Sequence, residues 1–152
     1  MPQSLTGAFF IFKMISEVKT MKTNLDTLFK TSDSMETTGI WMTVSEDVGF
    51  LVKRFGGYNT PKVKAATAKY YKPYARLIEN GTIAPEKEKE IMTKIFVESS
   101  LMDWKGIEID GKPAPFSKEV ATEFLLSLPE LAESLLSYAS DSKNYKEDLG
   151  NS

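Results

Sequence analysis

Two short apolar runs early in the chain, IWMTV and FLVKRF, are rich in residues that favour β-strands. The segment SEDVG lies between them and supplies a turn. The pattern predicts a β-hairpin with strands near 40–45 and 49–55. Because side chains alternate between the two faces of a strand, Val48, Phe50 and Val52 share one face, which we expect to be buried.

Helical spacing accounts for most of the other apolar positions. Apolar residues three and four positions apart predict amphipathic helices. Pro73 lies inside one of them and predicts a kink or a break near Tyr71–Lys72. The polar segment TSDSMETTG at 31–39 predicts a loop. The helices are predicted over residues 15–30, 58–81, 82–104, 117–128 and 129–149.

The segment MDWKGIEIDGKPAPFSKE, residues 102–119, joins two of these helices. Met102 and Trp104 are predicted to close the first helix and to anchor it in the core. Ile107 and Ile109 alternate with polar residues, which predicts a short third strand that could add to the hairpin.

The second half of the same segment is rich in turn-forming residues. Asp110-Gly111 is the favoured pair of a type I′ turn. Pro113 and Pro115 stiffen the exit from that turn. Phe116 precedes Ser117, which is expected to cap the next helix while Phe116 staples onto it. The chemistry of the segment is that of a connector.

These elements predict an α+β fold, a mostly helical single domain of four to five helices with one β-hairpin and a third short strand. The domain is expected to span 31–149 with the hairpin at 40–55, and the last residues, 150–152, to fray. Residues 1–30 form a leader and helix, of which 1–20 are either disordered or upstream of the true translation start. The apolar run LTGAFFIF near the N-terminus is too short to span a bilayer.

Composition narrows the chemistry that the chain can perform. Its 152 residues and 41% apolar content suit one compact core, and its net charge is −2 with no long basic run of the kind that binds nucleic acid. The absence of cysteine and histidine excludes disulfides, thiolate nucleophiles and the commonest general base and metal ligand. No phosphate-binding glycine motif occurs. We therefore expect no enzyme, no cofactor and no metal.

Carboxylates are the remaining candidates for catalysis. Asp103, Glu108 and Asp110 are close in sequence and could bind a hard cation or act as acid and base. They lack the alternation of a calcium-binding loop, and turn geometry explains Asp110 better. A carboxylate- or metal-dependent hydrolase remains the less favoured alternative.

From Gly39 to Leu149 the chain resembles the tail assembly chaperones of tailed bacteriophages. Members show a Trp-containing strand, a turn and a strand ending in basic residues, and this chain has GIWMTV and GFLVKRFGGYN. Two helices follow, and then a pattern that this chain matches with DWKGIEIDGKPAPFSKE. The family ends with a leucine-rich helix, a Pro-Glu-Leu step and a last helix, here FLLSLPELAESLLSYASDSKNYKEDL. The signature positions are Asp103, Trp104, Gly106, Ile107, Gly111, Lys112, Pro115, Phe116 and Ser117.

The resemblance implies a protein that acts in the host cytoplasm during tail morphogenesis, without catalysis. Such a chaperone binds the tape measure protein and helps to recruit tail tube subunits around it. In many relatives a programmed frameshift also yields a longer form. The alternatives are a phage virion structural or adaptor protein, or another phage-encoded protein-binding factor. The oligomeric state stays open, and a homo-oligomer is one outcome.

Client helices would need apolar surface between the helices of the chaperone. A tyrosine cluster and the apolar face of the last two helices are the candidates. The partner-binding residues expected on this basis are Tyr70, Tyr71, Tyr74, Phe124, Leu125, Leu131 and Leu135.

Overall fold

The computed structural model of the chain describes residues 23–147, and the chain separates into two compact units, residues 1–30 and 31–152. In the first unit the described residues hold a single turn of helix, α1 (Asp26–Phe29). Of the helix predicted over 15–30, the described residues contain this last turn. Residues 15–22 lie outside the described range. The predictions for the leader, 1–20, also lie outside them.

The second unit is an α+β fold, as predicted. Three strands form one antiparallel sheet in the order β1–β2–β3, and two very short strands form a separate hairpin. In chain order the elements are α2 (Asp33–Thr38), β1 (Ile40–Ser45), β2 (Val48–Val52), a 3₁₀ turn (Gly57–Asn59), α3 (Thr60–Tyr71), a 3₁₀ turn (Lys72–Tyr74), α4 (Ala75–Glu79), α5 (Pro85–Ser99), β3 (Leu101–Lys105), β4 (Glu108–Ile109), β5 (Lys112–Pro113), α6 (Lys118–Ser127), α7 (Pro129–Ser140) and a 3₁₀ turn (Ser142–Tyr145).

The predicted hairpin is confirmed, although its second strand is shorter than expected. β1 and β2 pair from Ile40↔Val52 to Ser45↔Val48, and Phe50 and Val52 are fully buried. The strand ends at Val52 because the next backbone amides bond elsewhere: the Lys53 N–H donates to the Ser100 carbonyl at 2.8 Å.

Helix α2 replaces the predicted loop over 31–39. The Ser32 hydroxyl caps it by accepting from the Met35 N–H at 3.4 Å. The Glu36 side chain, 1% exposed, then forms an ion pair with Arg54 at 3.2 Å. The loop prediction was wrong because the composition of this segment favours turns, whereas its contact with Arg54, which is distant in sequence, stabilises it as a helix.

The largest error concerns the end of the helix predicted over 82–104. The helix ends at Ser99, and Leu101–Lys105 form β3, the third strand of the main sheet. The register shifts beside Met102, since Val52 pairs with Leu101 and Leu51 with Asp103. This bulge places Leu101 and Trp104 on the same buried face, three positions apart, and that spacing imitates a helix.

The short strand predicted at Ile107 and Ile109 forms as β4, but it does not add to the main hairpin, whose third strand is β3. Glu108–Ile109 pair with Lys112–Pro113 and not with the main hairpin. Asp110 and Gly111 have φ angles of 54° and 76°, as a type I′ turn requires, so that prediction is confirmed. The expected Ser117 cap is also confirmed, since its hydroxyl accepts from the Val120 N–H at 3.1 Å.

The starts of the other helices and the break inside the second one follow the sequence closely. The predicted break falls where α3 passes into the turn Lys72–Tyr74. α6 and α7 meet at Leu128, and Pro129 begins α7. α7 stops at Ser140 and does not reach 149, because the chain turns back at Asp141. Tyr145 then enters the core, where its hydroxyl donates to the Val52 carbonyl at 3.1 Å.

Two groups of buried side chains form the core of this unit. The larger group joins the sheet to α5, α6 and α7 and is centred on Trp104, which is 6% exposed. Trp104 meets the rings of Phe50, Phe116 and Phe124 edge-on at 6.4, 5.4 and 5.4 Å. The smaller group lies between α3 and α5 around Ala66, Ile91 and Ile95.

Candidate partner-binding cleft

An apolar cleft of about 360 Å³ opens between α5 and α7, with α6 contributing residues between them. The tight α6–α7 junction at Leu128-Pro129 produces it, because it sets the start of α7 directly beside the end of α6. The apolar residues that line it are Met92, Phe96, Leu125, Leu126, Pro129, Ala132 and Leu136.

The lining residues differ in how much of their surface is available. Phe96 and Leu125 are buried and form the inner wall. Leu126 is 38% exposed, and Met92 and Leu136 are half-buried. The cleft therefore exposes apolar surface at its opening without exposing the centre of the core.

Charged residues surround the cleft. Lys89 and Glu133 form an ion pair between α5 and α7, with 3.8 Å between Nζ and Oε1, and both side chains are about two-thirds exposed. On α5, Glu90 pairs with Lys87 at 3.0 Å and with Lys94 at 3.2 Å. Hydrogen bonds from Lys87 and then Lys94 lower the pKa of Glu90.

The four predicted partner-binding residues of the last helices divide between core and cleft. Leu125 and Leu135 are fully buried. Phe124 packs edge-on against Trp104, and Leu131 is half-buried against the main core. Of the four, Leu125 alone lines the cleft. Three of the four therefore lie outside the cleft, and Leu125 contributes to its buried inner wall.

The predicted tyrosines gather at the smaller core group instead. Tyr70, Tyr71 and Tyr74 are half-buried against it, around Ile91 and Ile95. The Tyr70 hydroxyl donates to Glu98 at 3.0 Å, and burial together with this hydrogen bond raises its pKa. Lys87 lies 5.2 Å from the centre of the Tyr74 ring. The two predicted groups of partner-binding residues thus pack against different core groups.

The signature segment serves packing. The Trp104 indole N–H donates to the Ala114 carbonyl at 2.8 Å. A Cβ at Gly106, whose φ is 75°, would lie 2.0 Å from the Asp47 carbonyl oxygen, so the chain passes the β1–β2 turn only because this residue is glycine. From Gly106 to Ser117 the segment connects β3 to α6, as its chemistry predicts, whereas its first residues belong to β3 of the main sheet.

The structure does not gather the candidate carboxylates into a metal centre. Among residues 23–147, no group of three or more Asp and Glu side chains lies close enough to hold a metal ion. None of the helices in the same range combines the length and hydropathy that crossing a bilayer requires.

Sequence reasoning named the apolar face of the last two helices as a candidate surface but did not identify the outward-facing residues of the cleft, which are Met92, Leu126, Ala132 and Leu136. One signal could have found Leu126. The run FLLSL over 124–128 contains more apolar residues than one buried helix face can use. The surplus marks apolar side chains that must face something other than the core.

Comparison with known proteins identifies a family to which the chain is similar. No curated protein and no solved structure matches the chain significantly. The sequence pattern of the YdaY prophage protein family matches residues 58–150, more than half of the chain. The phage origin implied by the sequence resemblance is thereby confirmed. The chain belongs to the YdaY prophage protein family.

Proposed function

We propose that this protein is a phage tail assembly chaperone that acts without catalysis by holding an amphipathic helix of its client in the cleft between α5 and α7. The observation that carries the proposal is the cleft itself, an apolar hollow lined by three helices and surrounded by charge. A helix laid in such a groove buries side chains at i, i+3, i+4 and i+7.

The client in this proposal is the tape measure protein, and the tail tube protein is recruited to the same complex. Two independent supports point to a client of this kind. The segment DWKGIEIDGKPAPFSKE resembles the corresponding stretch of tail assembly chaperones, and the cleft provides apolar surface of the kind that helical clients need. The chaperone acts in the host cytoplasm before the tail is complete.

The direct test is a substitution of Leu126, an exposed apolar residue of the cleft lining. Leu126→Asp places a charge where the client helix would bury an apolar side chain. We expect the affinity for the tape measure protein encoded by the same phage to fall about tenfold or more, as for a central interface residue. Co-purification and titration calorimetry measure this. Leu125 is unsuitable for the test because it is fully buried.

Leu77→Asp is the matched control. Leu77 lies in α4, outside the cleft, and is 43% exposed, close to the 38% of Leu126. Circular dichroism should show both variants folded. If the folded Leu126→Asp variant binds the tape measure protein as well as the Leu77→Asp variant does, the cleft is not the client site.

A further inference from the structure

Charge is distributed unequally between the two sides of the cleft. From Glu119 to Ser142, which covers most of α6 and all of α7, the chain has five acidic residues and no lysine or arginine. Over the whole chain the two kinds nearly balance, with 21 acidic and 19 basic residues. The acidic residues of this stretch are Glu119, Glu123, Glu130, Glu133 and Asp141.

The α5 side of the cleft is balanced by comparison. From Glu86 to Lys94 it has three glutamates and three lysines, and Glu90 forms ion pairs of 3.0 and 3.2 Å with Lys87 and Lys94. Lys89 is the one basic residue that lines the cleft within the described residues, and it reaches toward Glu133 at 3.8 Å. A pair of this length between exposed side chains is weak and easily separated.

The acidic residues of α7 lie beside its apolar, cleft-lining side. Pro129, Ala132 and Leu136 face the cleft, with Glu133 at its edge. Glu133 also belongs to a shallow hollow on the far side, which is shared with Glu130 and Asp141 and has no basic residue in its lining. The α7 wall of the groove thus carries acidic residues and no basic one, whereas the α5 wall carries Lys89 beside Glu86 and Glu90.

We propose that the cleft selects an amphipathic helix whose apolar stripe is flanked on one side by lysine or arginine, with that basic flank lying along α7. This inference rests on the proposed function and specifies the chemistry of the client. The apolar stripe would fill the space around Met92, Leu126 and Leu136. The basic flank would meet Glu130 and Glu133, releasing Glu133 from Lys89. Charge complementarity of this kind fixes the orientation of a bound helix.

Two designed peptides test the proposal on the full chain. Both carry leucines at i, i+3, i+4 and i+7 over 18 residues, and they differ only in having lysine or glutamate along one flank of the stripe. We expect the lysine peptide to bind at least about tenfold more tightly at low salt. The preference should shrink at about 0.5 M NaCl, where exposed charges are screened. Fluorescence anisotropy of labelled peptides gives both affinities.

Charge-removing variants locate the effect. Glu130→Gln with Glu133→Gln should remove most of the preference for the lysine peptide. Glu46→Gln with Glu79→Gln is the matched control, because both residues are exposed and neither lines the cleft. Equal binding of the two peptides by the unmodified protein, or an equal loss of preference in the two double variants, would overturn the proposal.

The same samples separate this inference from the proposed function. If Leu126→Asp abolishes binding of the tape measure protein but the peptides show no charge preference, the function stands and the inference fails. If Leu126→Asp leaves binding of that protein unchanged, the function itself fails. A dimer that dissociates in Leu126→Asp during sedimentation would identify a second copy as the occupant of the cleft and would also overturn the inference.

Discussion

Glu36 is the residue whose environment differs most from what its sequence neighbours suggest. It sits in a polar run, TSDSMETTG, yet its side chain is 1% exposed. Its carboxylate accepts from Arg54 at 3.2 and 3.4 Å and from the Tyr58 backbone N–H at 3.3 Å. Because these partners come from another part of the chain, the contact fixes α2 against the segment that follows β2.

We expect Glu36→Ala to lower the free energy of unfolding by about 3 kcal/mol or more, since it leaves the half-buried Arg54 without its counter-charge. Urea denaturation measures the change. Glu133→Gln is the control: it breaks an ion pair between exposed side chains and should cost about 0–1 kcal/mol. Similar losses in the two variants would mean that the Glu36–Arg54 pair does not stabilise the fold beyond a surface pair.

The buried hydroxyl of Tyr145 should make the free energy of unfolding fall at alkaline pH. Burial, followed by the negative influence of Tyr138 and Glu36, raises the pKa of its hydroxyl. Above about pH 10 the tyrosine of the unfolded chain ionises while the folded one keeps its proton, so the folded state binds more protons and stability falls as pH rises. The lowered pKa of Lys118 acts in the opposite direction.

Tyr145→Phe should therefore flatten the alkaline decline. At pH 7 it should cost about 1 kcal/mol, because the Val52 carbonyl loses its donor. Urea denaturation midpoints, measured in steps from pH 7 to 11, give both the loss at neutral pH and the slope of the alkaline decline. The contribution of Lys118 is common to the two proteins, so their difference isolates Tyr145. Parallel curves for the variant and the unmodified protein would contradict this prediction.

At the scale of elements, Lys118 joins three of them, α5, β3 and α6. Lys118, the first residue of α6, sends its ammonium group to the end of α5 and the start of β3. It donates to the carbonyls of Val97, Glu98 and Leu101 at 2.7, 3.3 and 2.5 Å. The positive charge satisfies carbonyls that a helix end leaves without partners and complements the helix dipole.

Lys118→Met should destabilise the fold by about 1.5–3 kcal/mol, the range for hydrogen bonds to a charged group. Hydrogen exchange should rise most in the last turn of α5. Lys64→Met, which alters an exposed lysine of α3, should stay within about 0.5 kcal/mol of the unmodified protein. Uniformly increased exchange across the fold would argue against a local role for Lys118.

Element boundaries were predictable where local chemistry decides them. The Ser117 cap, the Asp110-Gly111 turn and the break before Pro73 each depend on neighbouring residues, and all were found. The end of α5 was missed because the bulge at Met102 spaces Leu101 and Trp104 like a helix. A helix and a bulged strand can both place apolar residues at i and i+3, and the local sequence does not distinguish them. Pairing with the strand β2 decides that this segment is a strand.

At the scale of the molecule, the family match and the folded unit do not coincide. The match covers residues 58–150, whereas the second compact unit begins at Thr31. β1 and β2 lie outside the match, yet Phe50 and Val52 are fully buried in the main core, and Phe50 contacts the Trp104 ring. The matched residues alone therefore lack part of their own hydrophobic core.

We expect a fragment of residues 31–152 to fold cooperatively and a fragment of residues 58–152 to remain largely unfolded. Without β2, the strand β3 has no partner within the main sheet, and Trp104 loses a wall of its pocket. Far-UV circular dichroism and thermal melts compare the two fragments. A cooperative transition in the shorter fragment would show that the hairpin is dispensable for folding.

The sequence by itself determined the α+β class, the hairpin, the tight turn and most helix starts, because caps, prolines and turn pairs act over a few residues. Only the tertiary structure decided what depends on distant partners. It buried Glu36, made a strand of Leu101–Lys105 and moved Leu125 and Leu135 into the core. It also left Leu126 beside a charged border. Periodicity identifies the apolar face of a helix, but which part of that face the neighbouring helices cover depends on how they pack.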